Sequence, residues 1–355
     1  MQLENVWEKI DQLLTKVNFD DIWKGFRSCP FALYDDEHVV INNQISPINH
    51  QFVAHTVIDY EGEKIAIWHI TSEDMKSLDV LASNIVHEMF HAFQQEQQEK
   101  RFPNDLKGLN KPKKVSYYYM KYQEGQHLKE ALEMADSEKK YKQLLHILAL
   151  RERRLLQFKS ATTYELAIET VEGTAEYVGL MSLKQLNEST YEQRLNQYKN
   201  NLTDKQLLFD PRRYAYYYGS LLLILLNQLN IPFNQRIRNE ERTIFESLLE
   251  SIQERVTVDK LITDKEIECE LYNNIEMLRE KFTEFNQNKT RKQTGLYKII
   301  GYDPMNMYKM NTFILHEHFV RLRDRKSEKN LFLKGPVITI YNQDESDVIG
   351  FLTQY

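Results

Sequence analysis

The spacing of apolar residues divides the first part of the chain into three segments. Over residues 3–16, apolar side chains recur three and four positions apart, which predicts an amphipathic helix. Over residues 32–69 they form short runs separated by polar turns, which predicts a short β-meander ending in the strand Lys64–His69. From Leu78 to about Gln98 the period is again that of a helix.

The third segment is apolar on almost every side. Its main stripe consists of Leu78, Leu81, Ile85, Met89 and Phe93. Such a helix belongs in the interior of a protein. The preceding stretch Thr71–Asp74 has the pattern of a capping box and predicts the start of this helix. His87, Glu88 and His91 interrupt the apolar surface, and buried polar groups of this kind need partners.

The rest of the chain is first helical and then β-rich. Helical periods predict one long helix over residues 161–186 and further helices up to residue 286. Residues 287–293 are polar and predict a linker. Short apolar runs after it, including one from Thr312 to Leu322, predict strands.

These patterns predict an α+β fold that is predominantly helical. We expect one domain over residues 1–286, with an N-terminal α/β part over 1–71 and a helical part over 72–286. The helical part would contain a helical insertion at about 97–160. Residues 287–355 would form a small β-rich C-terminal module.

Charge narrows the range of partners. The chain is ordinary for a globular protein, with 42% apolar and 28% charged residues. Its net charge of −6 argues against nucleic acid and against an anionic membrane surface as the main partner. No pattern in the sequence indicates an oligomeric state.

The cysteines and the apolar runs predict a cytoplasmic protein. Cys29 and Cys269 lie far apart and suggest neither a disulfide framework nor a metal site. The first residues lack a basic stretch followed by an apolar one, so we expect no signal peptide. The longest apolar run, Leu221–Leu226, is too short to cross a bilayer.

The candidate chemistry lies in the buried helix. His87 and His91 are four residues apart, so both lie on one helix face, roughly 5–6 Å apart, and can bind one metal ion. Glu88 follows the first histidine, where a carboxylate can act on water at the metal. This H-E-x-x-H pattern is typical of zinc peptidases.

A catalytic zinc site needs a third protein ligand. The helical stretch 168–177 offers Glu172 and Glu176, again four apart on one face, and also Glu169. One glutamate could bind the metal while another accepts a hydrogen bond from a ligand histidine.

At these residues the chain resembles the gluzincin family of zinc metallopeptidases, which combine H-E-x-x-H with a glutamate on a later helix. Glu172-Gly-Thr-Ala-Glu-Tyr177 matches the Glu-Gly-x-Ala-x-Tyr context found in many members. The resemblance covers roughly residues 60–230. It implies a zincin-like core, one zinc ion held by His87, His91 and Glu172, and Glu176 supporting a histidine ligand.

The resemblance also implies a catalytic tyrosine. Several members carry it in a Tyr-x-x-Gly stretch that enters an apolar helix, and Tyr216 occupies that place here. It would stabilise the oxyanion that forms during hydrolysis. Tyr217 and Tyr218 remain alternatives.

The predicted function is therefore zinc-dependent hydrolysis of peptide bonds, with Glu88 as general base and a peptide or protein as substrate. If Lys64–His69 is an edge strand, it could bind an extended peptide by strand addition. The alternative is a non-catalytic or regulatory zinc-binding protein on the same scaffold. Such a protein needs no general base, so Glu88 favours the enzyme. Hydrolysis of a non-peptide amide stays open.

Two further groups have simpler interpretations. Arg212 and Arg213 could bind a substrate carboxylate, but a solvated pair is the simpler expectation. His316 and His318 alternate as on a strand and could bind a metal, although a structural role is the commoner one for such a pair.

Overall fold

The computed structural model describes residues 3–258 and 261–354. The fold is α+β, as predicted, and about half of the chain is helical. The strands form one five-stranded and one seven-stranded sheet.

The chain divides into two compact units. Unit 1 comprises Met1–Pro103 and Met120–Leu261, and unit 2 comprises Asn104–Tyr119 and Ile262–Tyr355. Unit 2 thus contains the strands expected after residue 287, together with three helical stretches that precede them in sequence, at 105–108, 115–119 and 265–287.

Unit 1 begins with two helices and the five-stranded sheet. In chain order the elements are α1 (Leu3–Leu14), α2 (Phe19–Ile22), β1 (Phe31–Tyr34), β2 (His38–Ile41), β3 (Gln44–Pro47), β4 (Thr56–Tyr60) and β5 (Glu63–His69). The strand order is β3-β2-β1-β5-β4, with β1 and β5 parallel and all other neighbours antiparallel. Alternate residues of β1, β2 and β5 form a buried cluster that includes Ala32, Val39 and Ile67.

The expectation that Lys64–His69 could be an edge strand is wrong. Strand β5 pairs with β1 on one side and with β4 on the other, so β4 is the edge. The error has a physical cause: the parallel β1–β5 pair joins segments that are distant in sequence, and local patterning does not report such pairing.

Helices follow the first sheet. They are α3 (Leu78–Glu96), α4 (Asp105–Gly108), α5 (Val115–Glu133), α6 (Ser137–Gln157), α7 (Lys159–Ile168), α8 (Thr174–Leu186), α9 (Glu188–Asn201), α10 (Pro211–Gln228), α11 (Ile244–Ser251) and α12 (Lys265–Gln287). Within unit 1, α3 packs along α8, and α8 packs against α10.

Two predicted helix boundaries need correction. Thr71 and Asp74 do exchange hydrogen bonds, but Asp74 begins a short 3₁₀ turn, Asp74–Lys76, and α3 begins only at Leu78. The long helix expected over 161–186 is interrupted, because a π-helical turn, Glu169–Gly173, separates α7 from α8.

Unit 2 is built on the seven-stranded sheet. Its strands are β6 (Thr290–Tyr302), β7 (Met307–Met310), β8 (Phe313–His316), β9 (Phe319–Asp324), β10 (Asn330–Lys334), β11 (Val337–Tyr341) and β12 (Val348–Gln354). The order is β10-β9-β6-β12-β11-β8-β7, and neighbouring strands are antiparallel.

Two strand-level predictions in this region are wrong. Residues 287–293 are not a linker, because α12 extends to Gln287 and β6 starts at Thr290. The run from Thr312 to Leu322 is not one strand but a hairpin of β8 and β9. The first error arises because the exposed positions at the start of β6 are polar and resemble loop sequence. The second arises because the two residues between β8 and β9, Glu317 and His318, include neither Gly nor Pro to mark a turn.

In the part of the chain that the structure describes, no helix combines the length and apolar character needed to cross a membrane.

Candidate metal centre

The helices of unit 1 bring the predicted site residues together. Helix α3 carries His87, Glu88 and His91, and the π-turn carries Glu172. Helix α8 carries Glu176 one turn further on. These residues come from segments more than 70 positions apart, so only the tertiary fold places them side by side.

Small residues allow the helices to approach closely. A Cβ atom on Gly179 of α8 would lie 3.0 Å from the carbonyl oxygen of Ser83 on α3. The Ser83 hydroxyl donates to the carbonyl oxygen of Gly179 at 3.0 Å. This contact lies one helical turn from both His87 and Glu176, so it sets the separation of their side chains.

Three acceptor atoms converge on one point. The Nε2 atoms of His87 and His91 are 3.1 Å apart. Oε2 of Glu172 lies 3.1 Å from Nε2 of His91 and 3.7 Å from Nε2 of His87. The ligand atoms of the three residues all lie within 4.8 Å of one another, which is compatible with a single metal ion.

The opposite ring nitrogens are engaged elsewhere. Nδ1 of His87 lies 3.0 Å from Oε2 of Glu176, and Nδ1 of His91 lies 2.7 Å from Oε1 of Gln94. The Gln94 amide nitrogen donates to the carbonyl oxygen of Val171 at 2.8 Å, so its oxygen must face His91. Each imidazole therefore donates through Nδ1.

This tautomer leaves both Nε2 atoms of neutral imidazoles as lone-pair acceptors. Lone pairs 3.1 Å apart, with a carboxylate oxygen beside them, repel unless a proton or a metal ion lies between them. The pKa of His87 indicates the same preference for a positive charge at this point. Burial lowers the pKa of His87, but hydrogen bonds to Glu172 and Glu176 outweigh it and raise the pKa to about 10. The site favours a cation.

The two oxygens of the Glu172 carboxylate have different partners. Its Oε2 faces the histidines, and its Oε1 accepts a hydrogen bond from a guanidinium nitrogen of Arg212 on α10. Burial raises the pKa of Glu172, but His91, His87 and Arg212 hold it well below its usual range. The expectation that Arg212 is solvated is wrong, because its side chain is only 11% exposed, whereas that of Arg213 is 56% exposed.

Glu176 is held in the same manner. Its Oε1 accepts hydrogen bonds from the Tyr198 hydroxyl and from Arg194, the latter at 3.4 Å. Burial opposes ionisation, but the His87 hydrogen bond and Arg194 lower the pKa of Glu176 to about 2. The carboxylate therefore stays ionised and fixes the orientation of His87.

Glu169, the third candidate ligand, does not join this group. Its Oε2 lies 2.5 Å from a guanidinium nitrogen of Arg151, within a buried ionic network. The other members of that network are Lys121, Glu124, Arg154 and Glu165. Burial raises the pKa of Glu169 to about 7. The network contacts the π-turn through Glu169.

The π-turn gives Glu172 its position. The Gln94 amide and the Thr174 hydroxyl both donate to the Val171 carbonyl oxygen. A Cβ atom on Gly173 would lie 2.8 Å from Cα of Gly219, so α10 lies directly against the turn. Such turns occur often at functional sites.

Of the three consecutive tyrosines, only Tyr216 lies at the cluster. Its ring stacks on that of His87 with centroids 5.8 Å apart and planes 9° apart. Tyr217 packs edge-on against Tyr198 at 4.6 Å, and Tyr218 is buried beneath Arg151. Burial keeps the pKa of Tyr216 well above its usual range, so its hydroxyl remains a hydrogen-bond donor.

Glu88 differs from Glu172 and Glu176, which are buried, because residue 88 is only partly buried. Burial raises its pKa, and His91 and His87 oppose that rise. A carboxyl group whose pKa is raised by burial beside a candidate metal site is suited to accept a proton and release it there.

Sequence reasoning missed four supporting residues. Gln94 carried a usable signal, since it lies three positions after His91 and so on the same helix face. Arg194 and Tyr198 carried none, because each reaches the site from another helix. Arg212 also lies on another helix, and the sequence indicates it only as a possible partner of a substrate carboxylate.

His316 and His318 do not form a metal pair with each other. His316 is buried and its Nε2 lies 3.1 Å from the Thr339 hydroxyl, whereas His318 is exposed and lies 2.7 Å from Asp303. Among the described residues, the only cluster suited to a metal is that of His87, His91 and Glu172.

The chain matches no protein-family model, no curated protein and no solved structure.

Proposed function

We propose that this chain is a zinc-dependent peptidase with a gluzincin-type ligand set in a zincin-like core. The observation that supports it best is the convergence of three acceptor atoms, from His87, His91 and Glu172, on one point that favours a cation. Two imidazoles and one carboxylate are a ligand set that catalytic Zn²⁺ takes in proteins. Once bound, one zinc ion per chain would activate water and polarise the scissile carbonyl.

The residues around this ligand set have separate tasks in the proposal. Glu88 accepts a proton from the attacking water and passes it to the leaving amine. The Tyr216 hydroxyl donates a hydrogen bond to the developing oxyanion. Glu176 and Gln94 hold the two imidazoles in the tautomer that exposes Nε2, and Arg212 holds the second oxygen of Glu172.

The proposed substrate is a peptide or protein in the cytoplasm. Both Cys29 and Cys269 are free thiols, which suits a reducing compartment. An extended peptide would pair with β4, which is one of the two edge strands of the five-stranded sheet and packs against α3.

Metal analysis of purified protein tests the proposal. We expect about one zinc per chain in the wild type and in Glu88→Gln, and loss of zinc in His87→Ala. Hydrolysis of an unstructured protein substrate should be lost in both variants, because Glu88→Gln keeps the metal and removes only the base.

The outcomes separate the alternatives. Absence of zinc from the wild type would rule out the metal site. Zinc in the wild type with no hydrolysis of a diverse peptide library would favour the non-catalytic role. Full activity in Glu88→Gln would remove Glu88 as general base.

A further inference from the structure

The seven-stranded sheet of unit 2 has two different faces. One face buries a cluster that includes Tyr297, Val320 and Leu322. The other packs against α12 through a cluster that, among the described residues, includes side chains of β7, β8, β11 and β12. Over β6, β9 and β10 this second face is open to solvent, and the side chains that alternate with the buried ones are exposed there.

The open face is strongly basic. Its outward positions carry five cations, Lys292, Lys298, Arg321, Arg323 and Lys334. No outward position of these three strands is acidic. Residues 289–334 contain eleven lysines or arginines and four acidic residues, although the chain as a whole has a net charge of −6. We call this surface, formed by β6, β9 and β10, the basic face.

Two of these cations lie where they destabilise the sheet. The register places Lys298 directly opposite Arg323 on neighbouring antiparallel strands. Like charges in such cross-strand pairs destabilise a sheet. Arg323 reaches Glu328 at 2.5 Å, but no ion pair of Lys298 is found among the described residues. An anionic partner would remove this repulsion.

The basic face is also partly apolar. Leu296 is 55%, Ile300 is 43% and Phe332 is 51% exposed. Phe332 stacks on Phe319 at 5.6 Å, and the Arg321 guanidinium lies 5.5 Å from its ring centre. Exposed apolar groups bordered by charge are typical of surfaces that bind another macromolecule.

We propose that the basic face binds an acidic polypeptide segment in extended conformation. Arg321 and Arg323 are two residues apart on β9, which separates them by roughly 6.8 Å. Alternate side chains of an extended peptide have the same spacing, so glutamates at every second position match these arginines. Apolar side chains between or beside them would contact Leu296, Ile300 and Phe332.

Single-stranded nucleic acid fits this face less well. Binding of that kind uses several aromatic rings on which successive bases stack. Among the described residues of β6, β9 and β10, Phe332 is the one largely exposed aromatic ring, and its apolar neighbours Leu296 and Ile300 are aliphatic. The composition of the face therefore favours a protein partner.

The direct test is fluorescence anisotropy on the full chain. The probe is a labelled synthetic peptide in which glutamate alternates with apolar residues, and the comparison probes are labelled oligothymidylate and vesicles rich in phosphatidylserine. We expect the peptide to bind, with an affinity that falls as salt is raised. The variant Lys298→Glu/Arg321→Glu should bind about tenfold or more weakly.

A matched control changes the net charge equally at a distant surface. Lys24→Glu/Lys142→Glu alters two exposed cations of unit 1 and should bind the peptide as the wild type does. Since Lys298→Glu replaces a like-charge pair by an opposite one, this single variant should melt at a higher temperature than the wild type at low salt. The melting temperature of Lys298→Glu/Arg321→Glu is measured beside it, so that weaker binding is assigned to lost charge only if this double variant is folded at the temperature of the binding assay.

Three results would overturn the proposal. They are undetectable binding of the acidic peptide by the wild type, equal binding by the two double variants, and tighter binding of oligothymidylate or vesicles than of the peptide. The last result would assign the face to nucleic acid or to an anionic membrane.

Discussion

Arg212 shows how one side chain can control a candidate ligand without touching the metal position. It donates to Oε1 of Glu172, which leaves Oε2 alone to face the two histidines. Arg212→Ala would leave a buried carboxylate oxygen without this donor. We expect zinc affinity to fall about ten- to hundredfold, as is usual when a partner of a metal ligand is removed. Competition with a zinc-binding dye measures the change.

Two further variants test whether the loss of zinc affinity is due to the contact between Arg212 and Glu172. Arg212→Lys keeps the charge but not the planar, multiple-donor group, so it should recover only part of the affinity. Arg213→Ala, at the exposed neighbouring position, should bind zinc as the wild type does. Equal losses in Arg212→Ala and Arg213→Ala would show that the effect is not due to the contact with Glu172.

His316 gives a pH-dependent prediction for unit 2. Burial lowers its pKa from 6.5 to about 4. Between these values the unfolded chain binds a proton that the folded chain does not, so the free energy of unfolding falls as the pH falls. Above pH 6.5 both states are neutral at this residue, and below about pH 4 the loss is complete. The two pKa values correspond to a loss of about 3 kcal/mol.

The measurement is hydrogen exchange of backbone amides in β8 and β11, compared at about pH 7.5 and about pH 4.5 after correction for intrinsic rates. His316→Gln stays neutral and should lose less stability over this interval than the wild type. His318→Gln, at an exposed position, serves as the control. A pH response of His316→Gln equal to that of the wild type would contradict the prediction.

At the scale of residues, the sequence predicts what periodicity can bring together. His87, Glu88 and His91 are linked by helical spacing alone, and Glu172 and Glu176 by the same spacing on another helix. Helical spacing does not show which of Glu169 and Glu172 faces the histidines. The π-turn changes the directions of the two side chains, and Arg151 engages only Glu169. The burial of Arg212 is likewise invisible, since it depends on an approach of α10 that no local pattern encodes.

At the scale of elements, the contact between α10 and the π-turn is too close for an added side chain. A Cβ atom on Gly219 would lie 2.9 Å from Cα of Gly173 and 3.0 Å from the carbonyl oxygen of Glu169. Both atoms belong to the backbone and cannot turn aside as a side chain could. Gly219→Ala should therefore cost about 1–3 kcal/mol of stability and, by displacing Glu172, weaken zinc binding about tenfold.

Ser220→Ala is the neighbouring control, because it changes a buried position of α10 without adding an atom. Thermal unfolding of both variants measures the change in stability, and zinc titration measures the change in zinc affinity. If Gly219→Ala lowers stability but leaves zinc affinity unchanged, the turn relaxes without moving Glu172.

Elements were predictable where one periodicity runs without interruption. The amphipathic helix at the start and the hairpin of β4 and β5 follow from their patterns, and both are present. The parallel β1–β5 pair, the π-turn and the start of β6 are not, since each depends on contacts between segments distant in sequence. The polar first half of β6 resembles a linker because both its faces are exposed.

At the scale of the whole molecule, a single net charge conceals an uneven distribution. The value of −6 argues against anionic partners only if the charge is evenly spread. Residues 289–334 are instead strongly basic, and three adjacent strands present that charge on one face. The composition of a segment, read together with strand alternation, would have revealed this face; the composition of the chain could not.

Because the chain forms two compact units, we expect metal removal to destabilise only unit 1. The three candidate ligands join α3 to the π-turn within unit 1, whereas unit 2 has its own buried clusters. Zinc at a thousandfold excess over its dissociation constant would stabilise the folded state by about 4 kcal/mol. A chelator should therefore accelerate hydrogen exchange in α3 and α8 and leave β11 and β12 unchanged. His87→Ala, which lacks a ligand, should show no response to the chelator. Equal acceleration in both units would instead mean that the whole chain unfolds as one cooperative body.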